Sequence, residues 1–215
     1  MKKFLSLFTM LAFLSVANVW GAENDIAYTL DFTAKSAGCS NYTDTWTYGD
    51  FSLYGGANNS GSWGYVRFGG KGCSGKNCTG NSDLESSITA TKTITNKIVK
   101  KVTIEHTQVT NDNYTAQKCT LVVASNSDFS TVVDTRIIDS PVKSGTSFDL
   151  TPNTVSTWPA NAYYKIIITC NVAGKSNVGV EISKIKFIEG ASVTPPSCSN
   201  QITVTKSVSG KGSFY

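Results

Sequence analysis

The sequence predicts an all-β chain, an antiparallel β-sandwich of jelly-roll-like layout with about ten short strands. Three observations carry the prediction. Apolar and polar residues alternate along most of the chain, clusters of Gly, Asn, Asp and Ser punctuate the alternating runs, and no segment carries the apolar stripe of an amphipathic helix.

The first run is Ile26 to Phe32, in which Ile26, Tyr28, Leu30 and Phe32 fall on one face and are all apolar. Further strands are expected at Trp46 to Tyr54, Trp63 to Phe68, Leu84 to Ile94, Ile98 to His106, Cys119 to Ser125, Thr131 to Ile138, Thr146 to Leu150, Tyr163 to Cys170 and Val178 to Ile188. Turn clusters at Gly55 to Gly61, Thr110 to Asn113 and Ala173 to Asn177 separate them. In the last strand the apolar phase moves from Val178, Val180 and Ile182 to Ile185 and Phe187. One extra residue near Ser183 or Lys184, a β-bulge, would produce that shift.

The chain ends read differently from its middle. Lys2 and Lys3 precede an apolar run from Phe4 to Val16 and small residues around Gly21 and Ala22, the layout of a signal peptide over residues 1–22. The apolar run rises only about 20 Å as a helix, short of a membrane span. The expected mature protein is therefore secreted or at the cell surface, with no membrane insertion after cleavage. Residues 23–190 form the sandwich domain, and residues 191–197, with Pro195 and Pro196, form a linker. Alternation restarts at Gln201 to Thr205, so residues 198–215 are the start of a second β module or a final strand returning to the first sheet.

In an exported chain six cysteines allow up to three disulfides and 15 full pairings. Cys119 opens one strand and Cys170 closes another, both in the apolar phase, so antiparallel neighbours would bring them to the same end of a sheet. That predicts a Cys119 to Cys170 bridge. Cys73 and Cys78 would close a small loop, with Cys39 a competitor for either.

Composition excludes several function classes. Only 16% of residues are charged, and Ser, Thr and Asn make up roughly a third of the chain. Without Lys2 and Lys3, 17 bases stand against 15 acids, too even a balance to attract nucleic acid. Disorder is excluded by 40% hydrophobic content with 10 Phe, 9 Tyr and 4 Trp. The single histidine, His106, reads as a satisfied interior side chain, and one histidine cannot build a His-Glu-x-x-His zinc site. Gly70 to Asn77 resembles a phosphate-binding loop but has Asn77 where a Ser or Thr should reach the metal. No cofactor is expected. Asp112 with Asn111 and Asn113, or Asp128 with Asn126, could supply oxygens to a structural Ca²⁺, although Asx turns explain both. A glycan-active hydrolase would need two carboxylates about 5 to 9 Å apart; Asp31, Asp44, Asp50, Glu105 and Glu181 are the candidates, and no spacing pairs two of them.

The constellation with positive content is aromatic. Trp46 and Tyr48 share a strand face, as do Trp63, Tyr65 and Arg67, while Asn58 and Asn59 lie in the loop between. A hairpin would place all these rings on one sheet. As a platform they would stack on the C–H faces of a sugar while Asn and Arg bond its hydroxyls. Alternatively, Trp and Tyr fill the interior of the sandwich. Trp158, beside Pro159, is a further contact or a loop anchor.

The stretch Trp46-Thr47-Tyr48-Gly49, the run Gly64 to Lys71, the Thr-rich Ser86 to Thr95 and the strands ending at Ile168 and Ile188 together resemble a β-sandwich module of exported, multidomain surface proteins of Bacteroidota-type bacteria. The segment from Cys198 to Lys206 resembles the opening of a further repeat. The resemblance implies a non-catalytic module, sometimes accompanying an enzyme elsewhere in the polypeptide, and supplies no catalytic residues. The expectation is thus a binding module whose partner is a carbohydrate or host surface, with a structural spacer or stalk repeat, or an accessory domain of a larger secreted enzyme, as the alternative.

Overall fold

The computed structural model describes residues 25–34, 44–57, 61–68, 83–110, 117–139, 147–171 and 179–190. The leader, linker and C-terminal segment read from the sequence lie outside them. The described residues form twelve strands and no helix: β1 (Ile26–Asp31), β2 (Thr45–Tyr48), β3 (Phe51–Tyr54), β4 (Gly56–Ala57), β5 (Val66–Phe68), β6 (Asp83–Ala90), β7 (Val99–Thr110), β8 (Gln117–Ala124), β9 (Val132–Asp139), β10 (Ser147–Leu150), β11 (Tyr163–Asn171) and β12 (Gly179–Glu189). They make two antiparallel six-stranded sheets. One runs β10-β7-β12-β5-β4, with β1 also pairing β12, and the other runs β2-β3-β6-β11-β8-β9. Successive strands from β6 to β8 and from β9 to β12 cross between the sheets, which gives the jelly-roll-like sandwich predicted from the alternation.

The core lies between the sheets and follows the period-two reading. Leu121 and Val123 on β8, Tyr164, Ile166 and Ile168 on β11, and Ile185 and Phe187 on β12 are all buried. Each fully buried aliphatic side chain contributes about 1.5–3 kcal/mol relative to exposure. Aromatic rings then interlock the layers. Tyr164 of one sheet meets Phe187 of the other edge-on at 5.1 Å, Phe187 meets Phe51 at 5.6 Å, and Phe51 meets Tyr28 at 5.5 Å.

The bulge expected near Ser183 is present. Ile182 pairs with His106 and Lys184 with Glu105, which leaves Ser183 without a pairing position. A compensating irregularity lies on β7, where the register passes from Gln108 to His106 and skips Thr107. Ser183 still contributes, because its carbonyl accepts the Phe32 amide at 2.9 Å and its hydroxyl donates to the Glu105 carbonyl at 3.2 Å.

Three local expectations are corrected. The run from Trp46 to Tyr54 is a hairpin rather than one strand, since Gly49 and Asp50 turn the chain between Tyr48 and its partner Phe51. Gly49 has φ +58°, and a Cβ there would lie 2.5 Å from the Tyr28 hydroxyl, so only glycine fits. Trp63 to Tyr65 are bends, and β5 begins only at Val66. Ile26 is exposed although it shares a phase with Leu30, because the pairing of β1 with β12 slips between Ile26 and Tyr28.

A buried carboxylate organises the connection after β10. Asp134, 3% exposed, accepts hydrogen bonds from the Asn153 amide at 2.9 Å, the Thr154 hydroxyl at 2.9 Å, the Thr135 amide at 2.9 Å and the Trp158 indole at 2.8 Å. The Trp158 amide bonds the Val99 carbonyl at 2.9 Å, and its ring is fully buried, so this residue is a loop anchor. Burial pushes the Asp134 carboxyl upward, but the hydrogen bonds from Asn153, Trp158 and Thr154 outweigh it and hold the group below the usual carboxylate value. Replacing Asp134 by Ala strands buried donors and lowers stability by about 2–4 kcal/mol, read as a lower urea midpoint. Because the folded-state value is depressed, the contribution is complete above the unfolded carboxylate value of about 3.9 and disappears as pH falls through the folded value. The Asp134→Ala protein lacks that segment of the acid-unfolding profile.

Candidate functional site

The hairpin expected to unite the aromatics is not formed. Trp46 and Tyr48 lie on β2, at the edge of one sheet, whereas Trp63, Tyr65 and Arg67 lie at and before β5 in the other. Each group has a different environment. Trp46 and Tyr48 pack half-buried against the core, with their rings 6.3 Å apart and Tyr48 5.6 Å from the fully buried Phe32. The Tyr48 hydroxyl donates to the Asp31 carbonyl at 2.7 Å, and the Asp50 amide donates to the Tyr28 hydroxyl at 3.0 Å, so the two tyrosines latch one sheet to the other. The Trp46 indole nitrogen is buried without a hydrogen-bond partner. Both rings thus support the core from the sheet edge.

The second group faces outward. Val66 and Phe68 on β5 are fully buried, so the intervening Arg67 takes the opposite face, and Trp63 and Tyr65 gather with it. The Trp63 and Tyr65 rings are 5.6 Å apart and inclined by 30°, and the Arg67 guanidinium carbon lies 4.7 Å from the Trp63 ring centroid, a cation–π contact. Register explains the next neighbour: β12 pairs β5 with Glu181 opposite Arg67. Oε1 of Glu181 accepts Arg67 Nε at 3.1 Å and Nη2 at 2.7 Å. The Glu181 side chain is 1% exposed and that of Arg67 15%, while Trp63 and Tyr65 remain partly exposed. Burial, and then the charge of Glu181, push the Tyr65 phenol above its usual value.

The other sequence candidates separate clearly. Asn58, Asn59, Cys73 and Cys78 lie outside the described residues, as do Cys39, Asp112 and the side chain of Cys170. Strands β8 and β11 are antiparallel neighbours, with Cys119 opposite Ile168 and Cys170 opposite Gln117, so the two cysteines are offset by two positions. At Asp128, Oδ1 accepts the Ser130 amide at 3.0 Å, and Asn126 Oδ1 accepts the Thr131 amide at 3.0 Å, which makes this an Asx-type turn. Among the described residues no three His, Cys, Asp or Glu side chains gather as metal ligands.

Of the carboxylates, Asp31 pairs with Lys184 at 2.8 Å, Asp50 with Lys92 at 2.9 Å, Glu105 with Lys186 and Glu181 with Arg67. The hydrogen bond from Lys184, helped by Thr33, holds Asp31 down at about 2. Two polar residues carry more than the sequence disclosed. Asp134 is buried on β9 although Val132 is exposed and Arg136 shares its phase, and the ladder to β8 slips between Val132 and Asp134, so alternation did not mark it. Glu181 stands between Val180 and Ile182, but its partner 114 positions away leaves no trace in local spacing.

His106 is interior, as its phase predicts, but it is not satisfied. It is 6% exposed, its ring is 5.7 Å from Phe148, and neither ring nitrogen has a hydrogen-bond partner. Burial depresses its pKa. A histidine kept neutral in this way loses stability for the fold as pH drops below the unfolded value of about 6.5, with a slope of up to about 1.4 kcal/mol per pH unit until the folded value is reached. Chemical denaturation between about pH 7 and 5 measures this slope. A His106→Leu protein lacks this component and is the more stable of the two at the acid end.

No family model and no curated protein matches the chain. Among solved structures it is similar to an arabinose-bound α-L-arabinofuranosidase, with TM-score 0.34 and 9% identity over 78% of this chain and 26% of that one. The chain thus spans about a quarter of that enzyme's length, and a likeness of this size decides neither fold nor activity.

Proposed function

We propose that the chain is a non-catalytic, exported binding module whose ligand is a carbohydrate, held on Trp63, Tyr65 and Arg67. One observation carries the reading. Trp46, Tyr48 and Trp158 are drawn into the sandwich or its loops, whereas Trp63 and Tyr65 keep partly exposed, closely spaced rings on an outer face. Partly exposed rings set on an outer face are what a sugar C–H face requires, and their support by a buried ion pair fixes their orientation before a ligand arrives. The leader layout and the six cysteines support export. A bridge between Cys119 and Cys170 belongs to the same reading, because the strands that carry them are neighbours.

The spacer reading draws on the other aromatics, since Trp46 and Tyr48 pack against the core. Alanine variants separate the two. Trp46→Ala lowers stability by about 2–3 kcal/mol, as expected for a half-buried ring, and leaves ligand affinity unchanged. Trp63→Ala changes stability by no more than about 1 kcal/mol, the size of its cation–π contact, and weakens retention on a glycan array by about tenfold or more. Thermal melts run beside the array give both quantities. Failure of the wild-type chain to bind any glycan, with both variants destabilised, would favour the spacer.

A further inference from the structure

We propose that this site selects uncharged sugars, and that Glu181 sets the selectivity by taking up the guanidinium of Arg67, the cation that stands beside the rings among the described residues. The inference rests on reading Trp63 and Tyr65 as a glycan-binding pair. It follows from where the polar ends of the cluster point.

Arg67 directs both Nε and Nη2 at one oxygen of Glu181, at 3.1 and 2.7 Å. A carboxylate with 1% exposure needs a charged partner, and Arg67 is that partner. The guanidinium is held between this carboxylate and the Trp63 ring, with its side chain 15% exposed. Tyr65 is tied to the same hub, since its hydroxyl receives Arg67 Nη2 at 3.5 Å. Burial and the nearby carboxylate keep the phenol protonated at physiological pH.

Arg67 and Glu181 therefore cancel, Tyr65 is neutral, and Trp63 carries no charge. Among the described residues the charges of the cluster balance, and the partly exposed surface is ring rather than ionic group. A sugar bearing a carboxylate or sulfate would find the complementary guanidinium already engaged, with an anion of like sign beneath it. An uncharged pyranose asks nothing of the guanidinium: its C–H face can lie on the rings while its hydroxyls stay in water or bond neighbouring polar groups. Exposed Lys or Arg residues would be the usual means of attracting acidic glycans, and among the described residues the cation beside these rings, Arg67, is engaged by Glu181.

The test pairs matched probes on the full chain: immobilised lactose against sialyllactose, and galactan against polygalacturonate. The expected result is binding to the neutral member of each pair that is lost in Trp63→Ala. The acidic member should be weaker by about tenfold or more, and neutral binding should be nearly unchanged between about 50 mM and 500 mM salt. In Glu181→Gln the acceptor oxygen is kept and the anion removed, so the guanidinium charge becomes available. The acidic probes should then gain about tenfold in salt-sensitive fashion. The salt dependence of the wild-type chain gives a reading even if Glu181→Gln fails to fold. Preference for the acidic probes that still depends on Trp63 would overturn the inference and leave the glycan-binding reading standing. An unchanged preference in a folded Glu181→Gln protein would overturn the role of Glu181. Absence of binding to every probe would overturn both the inference and the reading on which it rests.

Discussion

The paired irregularity between β7 and β12 is the constraint on which the rest of one sheet depends. Without the extra residue at Ser183, the phase that buries Val180 and Ile182 would carry Lys184 and Lys186 inward. Two ammonium groups in an apolar core would cost far more than the fold can recover from their neighbours. With the bulge, Ile185 and Phe187 turn inward, while Lys184 and Lys186 turn out to meet Asp31 and Glu105. The same shift leaves Glu181 on the outer side, opposite Arg67. One unpaired residue thus connects the aromatic core, the ion pairs of the outer face and the geometry beneath Trp63.

The core shows what such a layout demands in return. Its rings interlock across the layers, but several polar atoms are buried with them. The Tyr164 hydroxyl and both nitrogens of His106 have no partner, and the phenol is pushed well above its usual value by burial. His106 lies opposite Ile182, at the point where both strands lose register. It keeps the inward phase of Val102 and Ile104, and the register on β7 slips only at the next residue, Thr107. Against these costs stand the bonds that do close. Tyr28 and Tyr48 reach across the sandwich to backbone groups, and Asp134 gathers the amides and indole of the segment from Asn153 to Trp158. Unsatisfied groups therefore sit where strands change phase or rings are packed, and satisfied ones sit where loops must be fixed.

Alternation made the strands readable because burial on one face is a local property of the chain. The inward phases of β8 and β11, and the bulge at Ser183, follow from neighbouring residues alone, and all three were open to reading. The turn at Gly49 was harder, since its requirement for glycine comes from the Tyr28 hydroxyl, which approaches from another sheet. Which sheet each aromatic strand joins was not readable at all. Trp46 and Trp63 lie close in sequence and carry similar flanks, yet sheet membership is decided by pairing of β3 with β6 and of β5 with β12. The Arg67 and Glu181 pair fails for the same reason, because long-range register is fixed by the whole sheet. Asp134 was hidden for a related reason, because its phase holds the exposed Val132 and Arg136, and its donors come from the separate segment around Asn153 and Trp158.

The charge pattern of the outer face sets the kind of recognition this surface can support. Across β1, β12, β7 and β10 the acids and bases are set against one another: Asp31 with Lys184, Glu105 with Lys186 and Asp149 with Lys101. Such pairs add little stability, because they are partly exposed and screened, but they cancel the field above the sheet. Arg67 and Glu181 continue the pattern to the end of the same sheet, where the partly exposed rings begin. Among the described residues the charges on this face are therefore matched pair by pair. At that end the Arg67 guanidinium is held between the Glu181 carboxylate and the Trp63 ring, so the ion pair fixes the position of the cation against the rings.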